Sequence, residues 1–325
     1  MQSSLAIEPF VIATIEHLSC EGPPRRGCIG SERWGTMSDR AGGRRRAGVV
    51  LAVMAGLLTI LILVPRVVPD GSGLALPLEA VLPWLGVPVA LVCTAALARR
   101  AWLARLVGIA AVIAWGVVFV PRILPLAVPV SNTAASSAAP LTVLSQNLHG
   151  ADGGPEKTAR AALDRAPDLI AFQELDAASR ESVAAVFAGE YPYTATVGTV
   201  GLWSRYPLEG IEPLDLGLGW NRAMHVTMMH PSGPIGVYAV HAASARIASH
   251  EQRDAMLSEL TALAAGDPAE RLLVVGDFNA GTDDRSLAGL SGSLEEPRQS
   301  SGGFGFTWPR QFPFVRLDHV FHALG

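Results

Sequence analysis

The sequence predicts an α+β protein in two parts: N-terminal helices that cross a membrane, then a domain of mixed strands and helices. Three observations predict it. Apolar residues crowd between 47 and 130. Residues 131–140 (Ser-Asn-Thr-Ala-Ala-Ser-Ser-Ala-Ala-Pro) form a small-residue linker. From 141 onward, short apolar β runs with polar tips are interleaved with segments of helical spacing. The chain therefore divides into a cytoplasmic segment (1–46), three transmembrane helices (47–130), the linker (131–140) and a globular domain (141–325).

Composition narrows the class. Half of the 325 residues are hydrophobic, 17% are charged, and mean hydropathy is +0.32. Extensive disorder is excluded, and the uneven apolar excess argues against a wholly soluble chain. A net charge of −4 gives no general basic field for nucleic acid. The three cysteines are Cys20, Cys28 and Cys93, so residues 141–325 hold neither a disulfide nor a thiolate metal site.

Residues 1–36 show no periodicity and no signal-peptide layout. Met37 opens a more natural beginning, with Gly42-Gly43-Arg44-Arg45-Arg46 ahead of an apolar run, and translation is expected to start there. Ala47–Val64 is uncharged over eighteen residues. Leu82–Ala98 follows, with Glu79 near its lip, and then Leu106–Val120, continued by a proline-interrupted stretch to Val130. A spanning helix takes about 20 apolar residues, and about 17 at the least; the first run meets this alone and the others with their flanks. Arg40, Arg44, Arg45 and Arg46 precede the first span, and Arg99, Arg100 and Arg105 lie between the second and third, whereas the loop between the first two carries only Arg66. Positive residues stay inside, so the N-terminus is expected in the cytoplasm and the C-terminal domain outside.

Within that domain, Leu141–Asn147 reads as a buried strand running into a Leu148-His149-Gly150 turn. Pro155–Arg165 is helical, with proline near its start. Asp168–Glu174 is a second buried strand, 176–187 a helix, and Gly201–Pro207 a short strand entering a proline turn. Arg222–Met229 and Pro234–His241 form a hairpin around Pro231-Ser-Gly233. Residues 248–265 are helical, Arg271–Asn279 is a third buried strand, and Arg316–Phe321 begins a last one.

Several β runs thus end in Asn147, Glu174, His241, Asp277 and Asn279. Carboxylates and amides gathered at strand ends are hard oxygen ligands, the set that Mg²⁺ or Mn²⁺ prefers. A histidine beside them serves acid–base or charge-stabilising work in phosphoryl transfer. His149, His225, His230, His250 and His322 carry no such support and read as structural or surface residues. Arg205 reads as a structural pair, while Arg222 and Arg246 lie near strand ends where they could meet phosphate. Trp203, Trp220 and Trp308 read first as packing residues.

The ordered set QNLHG (146–150), QE (173–174), LWSRYPL (202–208), VYAVH (237–241), GDFN (276–279) and LDHVF (317–321) resembles the endonuclease/exonuclease/phosphatase superfamily, over about residues 141–325. With three spans ahead of it, the chain also resembles the membrane-anchored bacterial proteins linked to teicoplanin resistance. The resemblance implies a DNase I-like four-layer α/β sandwich, two packed β-sheets flanked by helices. It implies that Glu174 binds the metal, Mg²⁺ or Mn²⁺, and that Asn147 holds the metal-site network. It implies that His241 meets the scissile phosphate or protonates the leaving oxygen, and that Asp277 orients or deprotonates the attacking water. Asn279 would hold a phosphate oxygen, and Asp318 would support the catalytic histidine and the metal.

The family normally continues to a terminal Ser-Asp-His and one more strand, whereas this sequence stops at Gly325. A truncated or frameshifted record is the first reading; Asp318-His319 serving as the terminal pair is the second. The function expected is a membrane-anchored, metal-dependent phosphoesterase acting on a phosphate or pyrophosphate ester of a phosphorylated lipid or envelope substrate at the outer face of the membrane. An anchored nuclease is the alternative enzyme, disfavoured by the absence of a basic stripe. A catalytically impaired binding domain is the alternative from another class. No protein partner is inferred.

Overall fold

The computed structural model describes residues 35–70, 73–124, 141–150, 154–297 and 302–323, without the side chains of 35–44 and Arg66. Residues 1–34, most of the segment ahead of the expected start at Met37, lie outside the described residues, as do the linker 131–140 and the stretch 125–130.

Helix α1 (Gly35–Leu63) begins ahead of the apolar run, since its arginines are good helix formers, and stops before Pro65. Helix α2 (Ala75–Val81), a 3-10 segment (Leu82–Leu85) and α3 (Gly86–Ala98) form one continuous helical path. It starts seven residues before the run read from sequence and takes Glu79 inside. Helix α4 (Trp102–Ile123) accommodates Pro121 in its last turn. Arg45–Leu63, Ala75–Ala98 and Trp102–Ile123 are each long and apolar enough to cross a membrane. Small residues let α3 and α4 approach: Ala96, Ala104 and Ala111 are buried, and a Cβ on Gly108 would sit 2.9 Å from the Cys93 sulfur.

The following domain has two sheets. The first contains β1 (Val143–Asn147), β2 (Leu169–Gln173), β3 (Tyr193–Val197) and β4 (Val200–Ser204), in the order β1-β2-β4-β3. The second contains β5 (Leu208–Leu214), β6 (Ala223–His230), β7 (Gly233–His241), β8 (Leu272–Asp277) and β9 (Asp318–Ala323), in sequence order. Only β1–β2 and β7–β8 pair in parallel. These pairs are joined by helical crossovers, as parallel strands require: α5 (Pro155–Leu163) in the first, α7 (Glu251–Gly266) in the second.

The period of two in β2 assigns its faces. Leu169 and Ala171 join Met224, Val226, Val237 and Val275 in the core between the sheets. Ile170 and Phe172 turn outward to Ala159 and Ala162 of α5 and to Val183 and Phe187 of α6 (Ala177–Phe187). On the far side, Met256, Leu257 and Leu260 of α7 and Leu290 of α8 (Ala288–Ser293) cover Tyr238, Val240 and Val274. Helix, sheet, sheet and helix make the four layers expected. The sequence reading missed β3, β5 and α8; β3 and β5 are largely exposed, and Pro213 fits β5's place at a sheet edge. Among the described residues β9 is the last strand and an edge.

Candidate active site

A parallel crossover returns the chain to the same end of the sheet. Both parallel pairs therefore place two strand tips side by side: Asn147 against Gln173, followed by Glu174, and His241 against Asp277. Strand β9 runs antiparallel to β8, so its first residue, Asp318, lies directly across from Asp277. Packing of the two sheets brings these tips together.

Asn147 is the bridge. Its Nδ2 donates to Glu174 Oε1 at 2.9 Å and to Asp277 Oδ2 at 2.8 Å, and its Oδ1 accepts from the backbone N–H of His149 at 2.9 Å. The side-chain oxygen is thus turned away from the carboxylates, and Asn147 holds two acidic groups in place from its amide end. His241 Nε2 lies 3.6 Å from Glu174 Oε1. The Arg222 guanidinium rests against the same imidazole, its NH2 2.6 Å from Nδ1, and its carbon lies 5.0 Å from the ring centre of Trp220. Asp277 Oδ1 accepts from the Asn279 N–H at 2.9 Å, while Asn279 Nδ2 donates to the Ala242 carbonyl at 3.0 Å. Exposed His149 comes to 3.5 Å from Glu174 Oε2, at the rim.

The backbone is strained at this site. Glu174, His149 and Asn279 adopt φ of 57°, 57° and 49°, left-handed conformations that cost non-glycine residues free energy and cluster where function requires a fixed aim. Gly276 has φ 150°, and any Cβ there would collide with the Val240 carbonyl, so only glycine lets β8 deliver Asp277 this close to β7.

Burial sets the electrostatics. It pushes the Asp277 carboxyl well above the ordinary range, and the Asp318 carboxylate opposite adds to the rise; Asp318 is likewise raised, chiefly by burial. Burial, and then the Arg222 charge, drive His241 down to about 3, leaving it neutral. Buried Asp277 and half-buried Asp318 therefore face each other with Glu174 beside them, and the Asp318 Oδ1 atom is buried without a hydrogen-bond partner. Glu174, Asp277 and Asp318, with an orphaned oxygen on Asp318, supply the hard oxygen type that a divalent cation of the Mg²⁺ or Mn²⁺ kind takes; among the described residues the three groups whose ligand atoms all lie within 4.8 Å of one another are Asp70, His250 and Asp254.

Thus the structure brings all six sequence-derived residues, Asn147, Glu174, His241, Asp277, Asn279 and Asp318, to one end of the sandwich. It does not bring His319. Strand alternation turns that side chain to the opposite face of β9, where Nδ1 pairs with Glu296 at 2.6 Å and Nε2 with the Ala280 carbonyl at 2.9 Å. Asp318-His319 as an adjacent catalytic pair is therefore corrected: the two point to opposite sides of the sheet. Arg205 lies 5.6 Å from the Tyr191 ring centre, a packing role as expected. Arg253 was not legible in the sequence. Buried in α7, it donates to the Asn279 carbonyl at 2.8 Å and to Asp284 Oδ2 at 2.7 Å, and so braces the loop that follows Asp277.

That loop also meets the apolar helices. Gly281 lies against Ala80, Arg122 pairs with Asp283 at 2.7 Å, and Arg285 binds Glu79. Nearby, His250 bonds Asp254 Oδ2 at 2.7 Å, and Asp70, from the segment between α1 and α2, converges on both.

Residues 142–324 match the model of the Endonuclease/Exonuclease/phosphatase family. Similar solved structures include sphingomyelinase C from Streptomyces griseocarneus (18% identity, covering 57% of this chain and 84% of that one, TM-score 0.43). Humanized TDP2 from D. rerio is 17% identical, with 57% and 84% covered and a TM-score of 0.48. A β-toxin mutant from Staphylococcus aureus with bound magnesium ions is 14% identical, with 57% and 84% covered and a TM-score of 0.43. No curated protein matches the sequence, and the finer likeness to teicoplanin-resistance proteins rests on motifs and anchor layout alone.

Proposed function

The chain belongs to the endonuclease/exonuclease/phosphatase family, and from that premise we propose that it is a membrane-anchored, divalent-metal-dependent phosphoesterase. Its substrate is a phosphate or pyrophosphate ester carried by a lipid or envelope molecule, at the outer face of the membrane. One observation carries this reading. The loop after Asp277 and Asn279 is pinned to the apolar helices through Asp283–Arg122 and Arg285–Glu79, so the anchored face of the domain is also its candidate catalytic face. The arginine bias around the spans supports the outward placement.

Glu174 and Asp318 would hold the cation, with Asp277 beside them. The cation, when bound, supplies charge that offsets the negative charge developing on a phosphoryl group. Asp277, raised by its burial and by Asp318, is suited to take a proton from an attacking water near neutral pH. Asn147 fixes the aim of Asp277 and Glu174 by donating to both. Neutral His241 and cationic Arg222 offer donors to non-bridging phosphate oxygens. Asn279 holds the turn that orients Asp277.

Phosphate release from a lipid pyrophosphate by the full chain in lipid nanodiscs tests the proposal. Activity that needs Mg²⁺ or Mn²⁺ and disappears in Glu174→Ala is the expected result. Nicking of plasmid DNA without lipid turnover would transfer the reading to an anchored nuclease. Ligand binding without turnover in either metal would transfer it to a binding domain. A C-terminal reporter active only in the cytoplasm would overturn the outward placement.

A further inference from the structure

The helices α3 and α4 enclose more than their own contact. Between them, at the end nearest the domain, lies a cleft of about 630 Å³ walled by Trp84, Val87, Ala90, Val112 and Trp115. Its roof comes from the globular domain. Phe304 packs edge-on against Phe119 of α4 and stacks on Phe306, which stacks on Trp84 at 5.8 Å. The polar groups of its walls are already bonded: Trp84 Nε1 donates to the Phe314 carbonyl, Trp115 Nε1 to the Pro83 carbonyl and the Thr94 hydroxyl to the Ala90 carbonyl. An occupant with polar atoms would leave them unpaired, which is costly in an apolar site; a hydrocarbon chain leaves nothing unpaired.

The cleft shares Pro83, Phe304 and Phe306 with a second recess of about 400 Å³. That recess is polar, lined by Arg122, Thr282, Asp283, Glu296 and Arg316. It adjoins the loop that follows the candidate site, since Thr282 and Asp283 come after Asn279; Arg316 Nε donates to the Asp318 backbone carbonyl at 3.1 Å, while Glu296 lines the recess on the His319 face of β9, opposite the Asp318 side chain. An apolar trough beside a polar recess matches the two ends of one molecule with a tail and a head.

We propose that this cleft takes one hydrocarbon chain of the amphiphilic substrate, so that the helices select the substrate as well as tether the enzyme. The inference rests on the reading that α3 and α4 lie in a bilayer and that the domain acts on a lipid-linked phosphate. The walls then face hydrocarbon, and a lipid chain enters laterally without crossing water. The cleft falls within the size range of built ligand sites.

The test uses the full chain in nanodiscs with two substrates of one headgroup, hexadecyl pyrophosphate and water-soluble ethyl pyrophosphate. Ala90→Trp fills the cleft, Val87→Trp fills it from a second position, and Ile109→Trp adds the same bulk to α4 outside the cleft lining. The cleft-filling variants are expected to lower kcat/KM for the hexadecyl substrate at least about tenfold, equivalent to losing burial of about two methylenes. They should leave the ethyl substrate within about twofold, and Ile109→Trp should change neither. Equal losses on both substrates, or no loss on the long one, would overturn the proposal.

A second measurement separates tail binding from turnover. Pyrene-tagged hexadecyl phosphate is titrated into Glu174→Ala, with energy transfer from Trp84 and Trp115 as the signal. Saturable transfer that Ala90→Trp abolishes supports the cleft even if wild type hydrolyses neither substrate, in which case only the catalytic reading fails. Transfer unaffected by Ala90→Trp, or absent, refutes the cleft.

Discussion

The carboxylate of Glu79, in the second apolar helix, accepts from the backbone N–H of Arg285 at 3.0 Å and from its Nε at 2.8 Å, across 206 residues of sequence. Glu79 is 2% exposed, and Arg285 also donates to the Val68 carbonyl at 3.0 Å. A buried acid in an apolar helix is costly unless paired. This one is paired by the residue after Asp284, which holds Arg253, which holds the Asn279 carbonyl. The apolar helices and the candidate catalytic loop therefore share one polar chain.

Removing one end of that chain strands the other. Glu79→Ala is expected to destabilise the protein by about 3–5 kcal/mol, the usual result of breaking a buried pair, and to lower kcat because the Asn279 loop loses its brace. Thermal unfolding in detergent, read with the Glu79→Ala/Arg285→Ala double variant, checks this. The double variant should recover part of the loss, whereas strict additivity would mean that the two residues do not interact.

Asp277 and Asp318 give a prediction of opposite sign for stability and activity. Both carboxyls are raised in the folded state, so folded protein binds these protons more tightly than unfolded chain does. Their contribution to stability is present at acid pH and lost as pH rises through the folded values. Asp318→Asn should therefore raise the unfolding midpoint at pH 8 while lowering turnover, and move the acid limb of the pH–rate profile to lower pH.

The same repulsion predicts a metal effect. At pH 8, adding millimolar Mg²⁺ should raise the wild-type unfolding midpoint, and EDTA should reverse it, because a ligand bound only by the folded state stabilises it by mass action. Asp318→Asn should respond less. Equal shifts in both proteins would place the binding elsewhere.

At the seam between domain and helices, the Asp254 hydrogen bond raises His250, with Asp70 and Glu251 adding to it. A raised histidine stabilises fully below its unfolded value, about 6.5, and the gain is lost as pH rises through the folded value. Wild type should lose thermal stability between mildly acid and mildly alkaline pH, and His250→Asn should flatten that slope.

Gly276→Ala tests the backbone at the site. The added methyl meets the Val240 carbonyl at a φ that alanine rarely adopts, so strand β8 must shift. A large drop in stability is expected, together with loss of activity, measured by unfolding and turnover on the same preparation. An active, stable Gly276→Ala would show that β7 and β8 tolerate a wider spacing.

Much of this was legible in the sequence because it is local. The buried β2 and β8 are unbroken apolar runs, as strands covered on both faces are, and their polar tips Glu174 and Asp277 interrupt them visibly. The three apolar helices announce themselves by length alone. Strands β3 and β5 did not, since their mostly exposed side chains leave no strong period. Arg253 could not be found either: an arginine in a helix reads as solvated until a fold buries it.

By itself the sequence determined which residues are apolar over how long a stretch, and which polar types end the strands; those follow from spacing along one chain. Only the tertiary structure decided that Asn147 joins Glu174 to Asp277, that His319 faces away while Asp318 faces in, and that Glu79 reaches Arg285. Those pairings depend on crossover geometry, strand alternation and the docking of one layer on another, in which residues far apart in sequence meet because burying apolar area leaves their polar groups no other partners.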